Sequence, residues 1–224
     1  MKYVLVSKDL PWSEYLNEEL SKKYDRNFVW YKNSNLLSLS EFLKQVNPEY
    51  VFFFHWSEIV SDDVFNRYKC IVLHTSNLPD GKGGSPLQNQ ILDGIVSTQV
   101  NALDMVSDLD SGDIYCSSPI TLQGTINEIY FAIAKVSLDL IGKCISGVKP
   151  KPQKSGGKIY KRNKKNTIDF NQDLISIHNT IRMLDGDGYE NAYVELGNYR
   201  LTFNRSKLNY NKSIISDVKI TRKN

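Results

Sequence analysis

Apolar residues in this chain follow two alternating rhythms. Tyr3 to Val6, Tyr50 to Phe54 and Cys70 to Leu73 are short unbroken apolar runs, and Asn27 to Tyr31 has a similar strand-like character. Runs of this length, rich in β-branched, aliphatic and aromatic residues, suit strands buried on both faces. Between them, Trp12, Tyr15, Leu16 and Leu20 recur at helical spacing behind Pro11, a residue suited to a first helical turn. Leu39, Phe42, Leu43 and Val46 repeat that spacing after Ser38-Leu-Ser-Glu41, which has capping-box form. Strands alternating with helices predict an α/β fold with a Rossmann-like, mostly parallel sheet.

Further along, Pro86 leads into a short helix from Leu87 to about Leu92, and Ser97 to Met105 and Asp113 to Ile120 read as strands. A second capping box, Thr125-x-x-Glu128, opens a long helix with Ile126, Ile129, Tyr130, Ile133, Leu140, Ile141 and Cys144 on its apolar side. After Lys149 the pattern gives a helix over Leu174 to Leu184 and two strands, Ala192 to Leu196 and Tyr199 to Asn204, joined at Gly197-Asn198. The predicted organisation is a Rossmann-like domain over 1–148, a basic linker over 149–165 and a small α+β appendage over 166–224. The strands of that appendage are a candidate surface for pairing two copies of the chain.

Composition narrows the picture. With 41% hydrophobic and 24% charged residues in 224, the chain can bury a core. Its apolar runs fall short of the roughly 18 to 20 residues a membrane span needs, and Met1 to Leu10 enters a strand-like run without a signal-peptide pattern. The expectation is a cytoplasmic protein without a membrane partner. A net charge of +3 does not indicate a nucleic-acid surface. The charge is unevenly spread: Lys149, Lys151, Lys154, Lys158, Lys161, Arg162, Lys164 and Lys165 fall together without an acid among them. That segment is either a solvated linker or a loop that meets phosphate. Cys70, Cys116 and Cys144 lack Cys-x-x-Cys spacing and read as buried thiols, and His55, His74 and His178 lack the local spacing of a metal site.

The chemistry concentrates between Ile71 and Ile114. His74 stands at the end of a strand, where open α/β sheets place their ligands. Gly81, Gly83 and Gly84 follow without a Gly-Lys-Ser/Thr ending, and the first strand leads into Ser7-Lys-Asp-Leu instead of G-x-G-x-x-G, so neither a P-loop nor a dinucleotide fingerprint is present. Asp104, Asp108, Asp110 and Asp113 crowd one loop region, fit for turn chemistry, a cation site or a catalytic carboxylate. The closing glutamate of a calcium loop is missing.

Three separated segments, His74-Thr-Ser-Asn-Leu-Pro79, Gly83-Gly-Ser-Pro86 and Leu109-Asp-Ser-Gly-Asp113, resemble the signature of formyltransferases that use 10-formyltetrahydrofolate. The likeness continues into Ile181-Arg-Met-Leu and Tyr189-Glu-Asn-Ala192. It implies formyl transfer to a primary amine through a tetrahedral intermediate. His74 would lie against the oxyanion, and Asp110 would hold the imidazole charged and help take the amine proton. The resemblance also implies a folate beside Phe52 to Val60, held by backbone at His55, Trp56 and Ile59 and by the acidic loop at Asp108.

The likeness fails at one position. The family usually has an asparagine two residues before the histidine, and this chain has Val72. A backbone N–H or a side chain such as Asn77 or Ser76 could replace that amide; His74 and Asp110 could suffice; or catalysis could be impaired. About 75 residues follow Lys149, few for a linker and a complete tRNA-binding barrel. The turn region is similar to the branch acting on nucleotide-linked 4-amino-4,6-dideoxy sugars. The resemblance therefore implies a nucleotide-sugar acceptor, met by Lys82, Gly83, Gly84, Lys161 and Arg162, without nucleic acid. Methionyl-tRNA or another small amine is the alternative acceptor.

Overall fold

The computed structural model describes residues 1–25, 27–32, 34–210 and 212–223. The first half alternates as the apolar pattern predicts: β1 Tyr3–Ser7, α1 Pro11–Lys23, β2 Phe28–Lys32, α2 Leu39–Val46, β3 Tyr50–Phe54, α3 Asp62–Arg67 and β4 Lys69–Thr75. A two-residue strand, β5 Lys82–Gly83, precedes α4 Pro86–Leu92, β6 Ser97–Asp104, β7 Ile114–Thr121 and α5 Ile126–Ile145. The remainder holds β8 Ile159–Tyr160, α6 Leu174–Arg182, β9 Tyr193–Leu196, β10 Tyr199–Asn209 and β11 Ser213–Arg222. Both capping boxes form: the side chains of Ser38 and Thr125 accept from the N3 amides while Glu41 and Glu128 reach back.

The main sheet has the order β2-β1-β3-β4-β6-β7. Its first four strands are parallel, β6 runs antiparallel to β4, and β7 antiparallel to β6. Alternation within single strands explains the unbroken apolar runs. On β1, Tyr3 and Leu5 enter a core with Trp12, Leu16 and Leu20 of α1 and Ile129, Ile133 and Leu140 of α5. Val4 and Val6 point the other way, into a second core with Leu43 of α2 and Val64 of α3. A strand covered on both faces has no polar side to show.

Three features depart from the sequence reading. Helix α3 is a single short stretch that carries one fully buried side chain, Val64, too little to register as a period. Strand β4 extends past Leu73, so His74 lies inside it, opposite Asn101 of β6. The appendage is larger than two short strands. β10 runs to Asn209 and pairs with β11, giving a three-stranded sheet β11-β10-β9 whose outer strand is mostly exposed. β11 alternates only weakly, over Asp217 to Thr221, and its Val218 and Ile220 are exposed, so little burial marks it as a strand. Ile177, Ile181, Met183 and Leu184, on or just after α6, join the same core as β1 and α5, which seats the appendage on the main sheet.

The segment 149–165 lies along the molecule as a strap. Lys151 exchanges two backbone bonds with Ile114, the Lys158 carbonyl accepts from Gly81, and the Tyr160 carbonyl accepts from Gly84. β8 pairs in parallel with β5, so the strap is bound to the glycine turn through backbone.

Candidate active site

Strand β4 delivers His74 to the C-terminal edge of the parallel strands, where its side chain is 6% exposed. Nε2 lies 3.0 Å from the Gly81 carbonyl oxygen. A carbonyl can only accept, so this nitrogen carries hydrogen. The other nitrogen, Nδ1, faces Asp110 Oδ1 at 3.4 Å. With Nε2 already a donor, that approach is favourable when His74 and Asp110 hold one further proton between them. The distance is ion-pair contact, longer than a good direct hydrogen bond.

Asp110 is itself tightly held. It sits at φ 54°, a left-handed conformation uncommon outside glycine. Its Oδ2 accepts from the Gly83 amide at 2.9 Å, and its backbone carbonyl accepts from Gln153 Nε2 at 2.9 Å. The same Nε2 donates to the Gly112 carbonyl at 2.6 Å. Gly83 has φ 98°, and a Cβ there would lie 2.4 Å from the Tyr160 carbonyl oxygen. Only glycine fits between strap and carboxylate. His74, Gly81, Gly83, Asp110 and Gln153 thus form one network drawn from β4, the glycine turn, the acidic loop and the strap.

This network borders a cavity of about 550 Å³. His55 to Val60 and Met105, Val106, Ser107 and Leu109 line it on the sides expected for a folate, and Arg162 and Asn163 of the strap also line it. Val72 is on the wall too, two residues before His74 on the same side of β4. The side-chain amides on that wall belong to Gln88 and Asn163.

The structure separates the remaining candidates. Asn77 is exposed, turned outward beyond β4 and absent from the cavity wall, so the expectation that it replaces the missing amide is corrected. Its position follows from the turn, in which the Asn77 carbonyl accepts from the Asp80 amide. Ser76 is fully buried and lies beneath Gly81, 2.6 Å from where a Cβ at that glycine would be. Lys82 Nζ donates to Ser111 Oγ at 2.9 Å, and the Lys161 carbonyl accepts from Asn89. Neither lysine is on the cavity wall, nor is Asp108, whose carbonyl accepts from Ser111. Gly84 and Gly83 are on the wall. Ile59 borders the cavity with its side chain fully exposed, and Trp56 packs toward Tyr31 with ring centroids 6.0 Å apart.

His55 has a defined side-chain role. Trp12 Nε1 donates to its Nδ1 at 2.9 Å, so Nε2 bears the hydrogen and faces the Tyr189 hydroxyl at 3.3 Å. The ring stacks on Tyr130 at 4.1 Å, and the Tyr130 and Tyr189 hydroxyls are 2.8 Å apart. Burial, with a smaller contribution from Lys8, pushes its pKa down to about 3, which keeps the ring neutral. Trp12, Tyr130, Gln153 and Lys8 were invisible as site residues in the sequence, because none falls within a chemical motif; Tyr189 and Gln88 lie inside segments that resemble the family, but nothing in the sequence singled them out.

Comparison with known proteins decides the family. The methionyl-tRNA formyltransferase from Clostridium thermocellum superposes with a TM-score of 0.90 at 32% identity, over 99% of this chain and 100% of that one. The chain belongs to the formyltransferase family. Within it, residues 163–221 match the model described as methionyl-tRNA formyltransferase, C-terminal domain. The methionyl-tRNA formyltransferase of Clostridium beijerinckii is 28% identical over 78% of this chain. The chain spans only 60% of the length of that relative and 58% of the next. An N-formyltransferase from Helicobacter canadensis, solved with folinic acid and dTDP-3-aminofucose, shares the fold with a TM-score of 0.59 at 18% identity, covering 90% of this chain and 95% of that one.

Proposed function

We propose that this chain transfers a formyl group from 10-formyltetrahydrofolate to a primary amine. The observation that carries the reading is the closed His74–Asp110–Gly83 network beside a cavity with one wall formed by His55 to Val60 and Met105 to Leu109. The amine nitrogen attacks the formyl carbon, and the carbonyl oxygen takes the negative charge of the tetrahedral adduct. His74, protonated against Asp110, supplies positive charge to that oxygen once its contact with the Gly81 carbonyl is exchanged for the substrate. Asp110 takes the proton that leaves the attacking nitrogen. Collapse of the adduct breaks the bond to N10, which takes up the proton held by Asp110, and releases tetrahydrofolate with Asp110 ionised again. Val72 adds no polar group here, so the charge rests on His74 and on whatever N–H groups the bound substrates bring within reach.

We infer methionyl-tRNA as the first acceptor, because the relatives most alike in sequence carry that name. A nucleotide-linked amino sugar is the second reading, the kind of acceptor with which the Helicobacter canadensis N-formyltransferase of like fold was solved. Incubation with 10-formyltetrahydrofolate and each acceptor, followed by tetrahydrofolate release and acceptor mass, separates them. His74→Ala and Asp110→Ala should each lower the rate at least about 10²-fold. Full activity in either variant would remove the assignment, and turnover with neither acceptor would sink the reading.

A further inference from the structure

Two cations, Lys8 and Arg162, face the cavity with neither in an ion pair among the described residues; the acid acting on Lys8 is Glu58, on the same wall. Lys8 follows the last residue of β1, and Arg162 enters from the strap; both line the wall. Lys8 has no carboxylate within 4.0 Å among the described residues, and its neighbour Asp9 is paired with Lys32 at 2.9 Å. Among the described residues, the Arg162 side chain donates only to the Ser57 carbonyl, at 3.3 Å. Burial and the nearby Arg162 lower the pKa of Lys8, while Glu58 partly opposes them. An unliganded protein gains nothing from two like charges placed together in this way.

Their position in the fold points to a ligand. Strand order turns at β1, with β2 on one side and β3 on the other, and the crevice at such a switch point is where α/β sheets bind ligands. The first turn of α1 starts three residues after Lys8, and its N-cap Leu10 offers no side-chain acceptor to the helix amides. A second cavity, of about 350 Å³, meets the first here: Lys8, His55 and Tyr189 line both. It continues past Asp9, which is paired with Lys32, and past Leu10 and Ser34 to Gly188, away from the Trp56 to Val60 and Met105 to Leu109 wall. A ligand that leaves room for folate against that wall can therefore pass Lys8 and continue into the second cavity.

We propose that Lys8 and Arg162 form a phosphate subsite at the junction of the two cavities, which holds a phosphate of the amine acceptor during formyl transfer. The inference rests on the formyl-transfer reading above. The phosphate chemistry is common to the 3′ end of a tRNA and to the diphosphate of a nucleotide-linked sugar.

Lys8→Met, Arg162→Met and the double variant test it in two ways. Calorimetry with inorganic pyrophosphate needs no turnover: the wild type should bind, each single variant should bind about 10- to 100-fold more weakly, and the double variant should not bind detectably. Competition of that binding by a CCA trinucleotide or by UDP identifies the source of the phosphate. In kinetics, KM for the acceptor should rise by a similar factor, with kcat and KM for 10-formyltetrahydrofolate unchanged. Lys154→Met, an exposed charge loss elsewhere on the strap, serves as the control for net charge. Wild-type pyrophosphate binding in the double variant would overturn the subsite. So would a rise in the folate KM instead of the acceptor KM, which would give these cations to the folate carboxylates. Pyrophosphate binding lost in the variants, with no formyl transfer in the wild type, would keep the subsite and refute the reaction.

Discussion

The parallel half of the sheet and the strap over 149–165 are held in opposite ways. β1 and β3 are buried at every position, their side chains divided between two cores. The strap is mostly exposed, and it is fixed by backbone bonds from Lys151, Lys158 and Tyr160 and by the side chain of Gln153. The sheet provides stability, which scales with apolar area removed from water. The strap provides position, because hydrogen bonds add little net free energy yet fix direction. The molecule thus builds its support from one kind of interaction and the geometry of its candidate site from another.

Substitutions on the two sides should separate these contributions. Leu5→Ala, in the first core, should cost about 2 to 5 kcal/mol in urea denaturation while the folded fraction keeps its acceptor KM. A loss below about 1 kcal/mol would mean that the sheet is not the main source of stability. Gln153→Ala removes both bonds to the Asp110 loop and should cost roughly 1 to 2 kcal/mol. Its larger signature should be kinetic, a fall in kcat of about ten-fold, since roughly 1.4 kcal/mol of lost positioning corresponds to that factor. An unchanged kcat would show that the strap does not position Asp110.

A pH series sharpens the contrast from the sheet side. The folded value for His55 is about 3, below the ordinary 6.5, so the unfolded chain binds the extra proton first on acidification. The contribution of His55 is complete above pH 6.5 and is lost as pH falls toward 3. Denaturation at stepped pH should show stability declining through this window, and His55→Gln should flatten the decline. An identical slope in the variant would assign the acid sensitivity elsewhere. The smallest effect is expected at Lys158→Met, which breaks the exposed 2.5 Å pair with Asp93. Its cost should stay within about 1 kcal/mol in the same denaturation assay, and a larger one would give the surface of the strap a share of stability.

What could be read in the sequence follows the same division. β3 has the limits its apolar run suggests, and both capping boxes form, because burial and capping are local and leave a spacing behind. β8 left none: Ile159 is exposed and Tyr160 is buried against the glycine turn, a contact with residues far away in the chain. The site divides likewise. His74 and Asp110 stand in motifs and meet in space, whereas Lys8 and Gln153 belong to no motif and arrive through topology. Asn77 failed as a candidate because nearness in sequence to His74 does not survive the outward turn after β4.

The strap has a further consequence. Six of its eight lysines and arginines, all but the proline-followed Lys149 and Lys151, make it the densest run of trypsin cleavage sites in the chain, on a segment whose side chains mostly face water. A protease needs extended, unpaired backbone, and here the backbone is paired at Lys151, Lys158 and Tyr160. Cleavage at Lys158 must therefore wait for the strap to lift from the glycine turn, and its rate counts those openings. A bound acceptor phosphate on Arg162 would slow that count, so nicking of this one segment would report, without any chemistry, how often the site comes apart.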